Sequence, residues 1–179
     1  MKKILLTALV VVVALGIVLA VVIAMQSEDF TVTRSNQISA SPAEVHAHIN
    51  DFHKWDAWSP WAKIDPAMRT SITGPPSGIG AKYAWEGNSE VGKGNMTITD
   101  SRPGENVKID LQFTEPFEAT NVTEFKLQPA GEGTNVTWTI SGKKNFLMKA
   151  MCLVVDMDQM MGPDFEKGLS QLKQAAENR

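Results

Sequence analysis

Between Ala81 and Ile140 the sequence places apolar residues at every second position in five separate segments. Ala81, Tyr83 and Trp85 alternate with Lys82 and Glu86, and Met96 and Ile98 with Thr97 and Thr99. Val107, Ile109, Leu111 and Phe113 alternate with Lys108, Asp110 and Gln112; Thr123, Phe125 and Leu127 with Glu124 and Lys126; Val136, Trp138 and Ile140 with Thr137 and Thr139. Successive side chains of a strand point to opposite sides, so each set lines one face of a sheet. Gly74-Pro75-Pro76, Glu86-Gly87-Asn88, Arg102-Pro103-Gly104 and Pro129-Ala130-Gly131 part the segments with turn residues. Connections this short join antiparallel neighbours.

A sheet with one apolar face needs a cover. Before it, Phe30 to Ser35 reads as a first strand, and Ser41-Pro42-Ala43-Glu44 opens a short helix with a capping box and proline at the first helical position. That helix runs to about Ile49, and a second short one over Asn50 to Trp61 ends near Pro60. After the sheet, Asn145 to about Met161 is rich in Met, Leu and Val, and Gly162-Pro163 is expected to interrupt it. From Asp164 onward Phe165, Leu169, Leu172 and Ala176 fall on one helical face. The expected architecture is α+β: a strand, two short helices, about six strands in a curved antiparallel sheet, and a long C-terminal helix gripped by it. A cavity between sheet and helix follows from that wrapping.

The N-terminus is of another kind. Met1-Lys2-Lys3 precedes an uncharged apolar run from Ile4 to Met25. About 20 apolar residues at 1.5 Å each cross the roughly 30 Å hydrocarbon core of a bilayer. A cleaved signal peptide is the competing reading, with Val22-x-Ala24 as a small-residue site, but its apolar core is normally about 7–15 residues. The expected division is a transmembrane signal-anchor over 1–25, a linker over 26–29 and one domain over 30–179. Lys2 and Lys3 before the run, and Gln26-Ser27-Glu28-Asp29 after it, orient the N-terminus to the cytoplasm and the domain to the other side. Of 17 Lys+Arg, the 15 beyond the run face 20 Asp+Glu. No basic stripe appears, which argues against nucleic acid as a partner. Protein partners are not legible.

Several stretches carry a family likeness. They are Ser41-Pro42-Ala43-Glu44-Val45; Ile49-Asn50-Asp51-Phe52 with Trp55, Trp58 and Trp61; and Gly80-Ala81-Lys82-Tyr83-Ala84-Trp85. To these add Gly133-Thr134-Asn135-Val136-Thr137-Trp138 and Asp164-Phe165-Glu166-x-Gly168-Leu169-x-x-Leu172-Lys173. The chain resembles the polyketide cyclase/dehydrase and lipid-transport group of the START-like (SRPBCC) superfamily from about Phe30 to Glu177. The resemblance implies a helix-grip fold that holds a lipid or another apolar molecule. Some members are cyclases or hydrolases, and fold does not choose among these activities.

The expected ligand-binding wall follows from the inward sets: Tyr83, Trp85, Met96, Ile98, Leu111, Phe113, Phe125 and Trp138, facing Met151, Val155 and Met160. Trp55, Trp58 and Trp61, spaced i, i+3, i+6, read as an aromatic rim at the cavity mouth, as a surface dipping into a nearby bilayer interface, or as core packing. Met148, Met151, Met157, Met160 and Met161 suit a wall that adapts to irregular ligands, or an ordinary core face. No metal site or cofactor is expected: His46-x-His48 sits on different faces of a helix, and no further ligands cluster with it. His53, near Asp51 and Asp56, is the acid–base candidate, although residues so placed commonly cap a helix. Cys152, the single cysteine, lies in an apolar context and is expected to be a buried, inert thiol. No nucleophile elbow, phosphate loop or dinucleotide fingerprint occurs. A binding module is therefore favoured over an interaction module with a filled core, and both over an enzyme.

Overall fold

The computed structural model describes residues 2–178. Helix α1 (Lys2–Met25) leads into β1 (Asp29–Ile38), then α2 (Pro42–Ile49) and a 3₁₀ helix (Phe52–Ala57). Six strands follow: β2 (Arg69–Thr73), β3 (Lys82–Glu86), β4 (Lys93–Arg102), β5 (Asn106–Glu115), β6 (Ala119–Ala130) and β7 (Gly133–Lys143). The chain closes with α3 (Phe146–Met151) and α4 (Met157–Glu177). The seven strands form one sheet in the order β1-β7-β6-β5-β4-β3-β2, and every pairing is antiparallel. This is the expected helix-grip architecture.

Local chemistry sets the elements. The Ser41 hydroxyl accepts from the Glu44 amide while the Glu44 carboxylate accepts from the Ser41 amide, so both ends of the capping box form. Asp51 caps the 3₁₀ helix by accepting from the His53 amide. On α4, Phe165, Leu169, Leu172 and Ala176 are buried, as their spacing predicts. Gly168 sits between them because a Cβ there would lie 2.7 Å from the Trp138 ring and 3.0 Å from Pro60.

The break in the C-terminal helices falls at residues 152–156, not at Gly162-Pro163. Asp156 caps the new helix by accepting from the Gln159 amide, and Pro163 lies inside α4. Proline removes one backbone donor and normally costs about 3 kcal/mol within a helix. Here Arg34 of β1 spans the weak point. Its guanidinium donates to both oxygens of Asp158, at 2.7 and 2.9 Å, and its Nε to Glu166 at 2.7 Å. It fills the space where a Cβ of Gly162 would stand. Asp158, Gly162 and Glu166 are four residues apart, so one arginine grips the same face on both sides of the proline.

One smaller expectation also shifts. Cys152 is half-buried, not buried, because α3 lies outside the main core. Gly92 closes the turn between β3 and β4 with φ 64°, and β4 starts at Lys93. Helix α1 has a mean hydropathy of 3.2 over its most apolar stretch, and Ile23 is its one buried residue among those described. It is long and apolar enough to cross a membrane, a property that signal sequences share.

Candidate ligand cavity

The interior between sheet and α4 differs at its two ends. At the end where β4 runs into β5, Ile98, Val107, Ile109, Phe125 and Leu127 meet Val45, Ile49, Leu169 and Leu172, and all are buried. At the other end the same inward faces continue through Met96, Leu111 and Phe113, and the filling stops. A cavity of about 210 Å³ opens there. Trp55, Trp61 and Ala62 wall it from the segment after α2; Met68, Tyr83, Trp85, Val91 and Met96 from the β2 side; Leu111, Phe113, Thr123, Trp138 and Ile140 from the central strands; and Met161, Asp164 and Phe165 from α4.

Eight of the fourteen residues singled out in the sequence stand on this wall: Trp55, Trp61, Tyr83, Trp85, Met96, Leu111, Phe113 and Trp138. Six do not. Ile98 and Phe125 lie on the correct face but at the filled end, with no exposed surface. Trp58 is buried between Trp55, Phe125 and Trp138, with ring centroids 4.7–5.9 Å away. Met151, Val155 and Met160 point outward, because α3 and the turn after it lie beside the grip and Met160 is on the outer side of α4. Of the methionine cluster, Met161 reaches the cavity. Thr123, Ile140 and Phe165 belonged to inward sets legible in the sequence and complete the wall. Val91 sits in a turn where no periodicity could find it.

The wall is held by stacked rings. Trp138 lies between Phe125 (4.8 Å, 28°) and Phe165 (4.1 Å, 12°). Its indole N–H donates to the Thr123 hydroxyl at 2.8 Å, which in turn donates to the Thr139 carbonyl. Trp55 donates to the Ile49 carbonyl and Trp85 to that of Val91. Trp85 lies across Gly94, its partner in the β3–β4 register, where a Cβ would come within 2.6 Å of the ring. These bonds fix three of the four wall tryptophans in place.

Among the described residues, the charged ones on the wall are Asp56, Glu90 and Asp164, with no lysine, arginine or histidine beside them. The Tyr83 phenol is pushed above its ordinary value, first by burial and then by the nearby Asp56 carboxylate. The histidines lie elsewhere. His46 Nε2 is 3.1 Å from the Ser101 hydroxyl, which donates to the Asn50 side-chain oxygen. Since Ser101 has one proton to give, His46 must donate from Nε2. Burial lowers the pKa of His46 and, together with Lys54, that of His48. His53 Nδ1 lies 2.9 Å from Asp51 at the surface, in the capping turn.

A seven-stranded antiparallel sheet closed over a C-terminal helix, with an apolar cavity between them, defines a START-like helix-grip domain. Residues 29–177 match the polyketide cyclase/dehydrase and lipid transport family, and the chain belongs to it. Among solved structures, the Mll3558 protein from Rhizobium loti is 17% identical with a TM-score of 0.63, over 84% of this chain and 99% of that one. Protein CV1439 from Chromobacterium violaceum is 16% identical (TM-score 0.61; 83% and 98% covered). The Aha1 dimer from Colwellia psychrerythraea is 18% identical (TM-score 0.59; 83% and 97% covered). These likenesses are of fold. No curated protein matches the chain.

Proposed function

We propose that this protein binds a small apolar molecule, neutral or cationic, in the cavity, and that α1 anchors it in a membrane. The observation that carries the reading is the wall itself: aromatic and aliphatic side chains whose only charges, among the described residues, are carboxylates. An apolar cavity of about 150 Å³ stays dry and takes up benzene, so one of about 210 Å³ holds a somewhat larger ring system or a short branched chain. Pockets for drug-sized ligands begin at about 300 Å³, so an intact phospholipid needs the mouth to open. A fatty acid would bring its carboxylate toward Asp56, Glu90 and Asp164 without a cation to meet it, which disfavours that class.

The filled end of the interior supports the interaction-module reading for that half alone. The length of α1 favours an uncleaved anchor, and the lysines before it favour an N-terminus on the cytoplasmic side.

Native mass spectrometry of the detergent-extracted protein is expected to show a co-purified apolar adduct. Titration monitored by tryptophan emission is expected to saturate with a neutral aromatic probe and respond weakly to its carboxylate analogue. Equal or tighter binding of the carboxylate would sink the ligand class. For the anchor, a reporter fused to the C-terminal end is expected to be active outside the cytoplasm, with the full chain in the membrane fraction. A soluble product beginning beyond Met25 would show cleavage instead.

A further inference from the structure

Helix α1 and the cavity are at the same end of the domain, and so is most of its exposed apolar surface. Strand β1 starts at Asp29, just after α1, and pairs there with Lys143 at the end of β7. The register carries this end across the sheet, through Asn121 opposite Gly142 and Phe113 opposite Ala119. The β5–β6 turn, the cavity residues Trp85 and Phe113, and the segment after β7 therefore all lie toward α1. Outside α1, the exposed large apolar side chains among the described residues are Ile79, Phe117 in that turn, and seven within 146–160. Val154 is 86% exposed, Phe146 56% and Phe117 52%. Ile79, in the β2–β3 loop, is at the opposite end.

The segment is fixed against the exit of α1. Helix α1 packs against α3. The Lys144 amide donates to the Glu28 carbonyl at 2.7 Å, and Lys149 Nζ lies 3.3 Å from the Glu28 carboxylate with its side chain 8% exposed. Lys149 is the one charge within 146–155, and it is used internally. What remains outward is an uncharged apolar face that continues the surface of α1. Contiguous apolar surface of this kind marks an interaction site.

We infer that this end of the domain is seated in the interface of the bilayer that α1 crosses, with Phe117, Leu147, Leu153, Val154 and Val155 in contact with lipid. The inference rests on the anchor reading above. Hydrophobic insertion drives the contact: within 146–155 the one charge, Lys149, is held by Glu28, and Lys143 and Lys144 lie at the edge of the face, at the end of β7. The cavity then lies next to the bilayer, and an apolar molecule dissolved there reaches it without crossing water.

The test uses the full chain, isolated from membranes and reconstituted in phosphatidylcholine vesicles, with Cys152→Ala to remove the native thiol. Spin labels are placed through Leu147→Cys, Val154→Cys or Phe117→Cys, and through Glu132→Cys in the β6–β7 turn at the far end as control. Labels at 147, 154 and 117 are expected to collide with oxygen more than with a water-soluble nickel chelate, and the label at 132 the reverse. Aqueous behaviour at all three, with the chain still retained after carbonate extraction, overturns the seating and leaves the anchor standing. Labels shielded from both probes and coupled between copies would assign the face to a second copy and also overturn it. A chain that lacks residues 1–25 by mass fails the anchor reading, and the seating with it.

Discussion

Met96 and Ile98 show how one residue's position along a strand decides its role. Both point inward from β4, two residues apart, yet Met96 stands on the cavity wall and Ile98 is fully buried at the filled end. Ile98→Phe is expected to overpack and cost about 1–3 kcal/mol in urea unfolding. Leu111→Phe adds its ring to free volume, so stability should change by less than about 1 kcal/mol while probe uptake falls. Equal destabilisation by both would mean that the cavity closes in solution. His46 provides a second test. Its depressed pKa means the unfolded chain takes up a proton before the folded one, so stability is full above the free-histidine value of 6.5 and falls as pH drops through the folded value. NMR titration should find His46 titrating below that value, and His46→Gln should flatten the stability curve in this window. At the residue scale the sequence revealed the face and hid the depth. Period two is the same for Met96 and Ile98, and the end that stays open depends on where α4 and the tryptophan segment lie across the sheet. The methionines failed for a related reason: one step along α4 separates outward Met160 from inward Met161, and the phase of that helix was not legible before its true start at Met157.

That start is an outcome of competition between elements. A proline after glycine looks like a helix break, and in isolation the cost of Pro163 would make it one. The fork of Arg34 on Asp158 and Glu166 comes from a strand more than a hundred residues away, so no local pattern announces it. Arg34→Gln is expected to lower the melting temperature and to speed amide exchange in the first turns of α4, with little change in the sheet. The Arg34 guanidinium holds the Asp158 carboxyl below the ordinary aspartate value of 3.8. A group with a depressed folded pKa stabilises above its unfolded value and ceases to do so as pH falls through the folded one. The wild type and the variant should therefore converge in strong acid and differ most near neutrality. Gly168→Ala tests the same helix further along: with Trp138 and Pro60 so close, about 1–3 kcal/mol of overpacking is expected by thermal unfolding. The strands and α2, by contrast, were legible because alternation, turns and caps all agreed locally.

For the whole molecule, the proposed binding is linked to folding. A ligand present at 100 times its dissociation constant adds about 2.7 kcal/mol to the stability of a domain that binds it only when folded. Leu111→Trp should remove that increment and leave the ligand-free melting temperature nearly unchanged. A ligand effect that survives this variant would place binding elsewhere. The two ends of the interior also have different freedom to change. Side chains at the filled end are constrained by every neighbour they touch, so a sequence drifting there loses its fold. At the open end, positions such as 96, 111 and 113 border empty space, and single exchanges can reshape what fits while the chain still folds. A lineage built on this plan can acquire new ligands gradually, one tolerated change at a time.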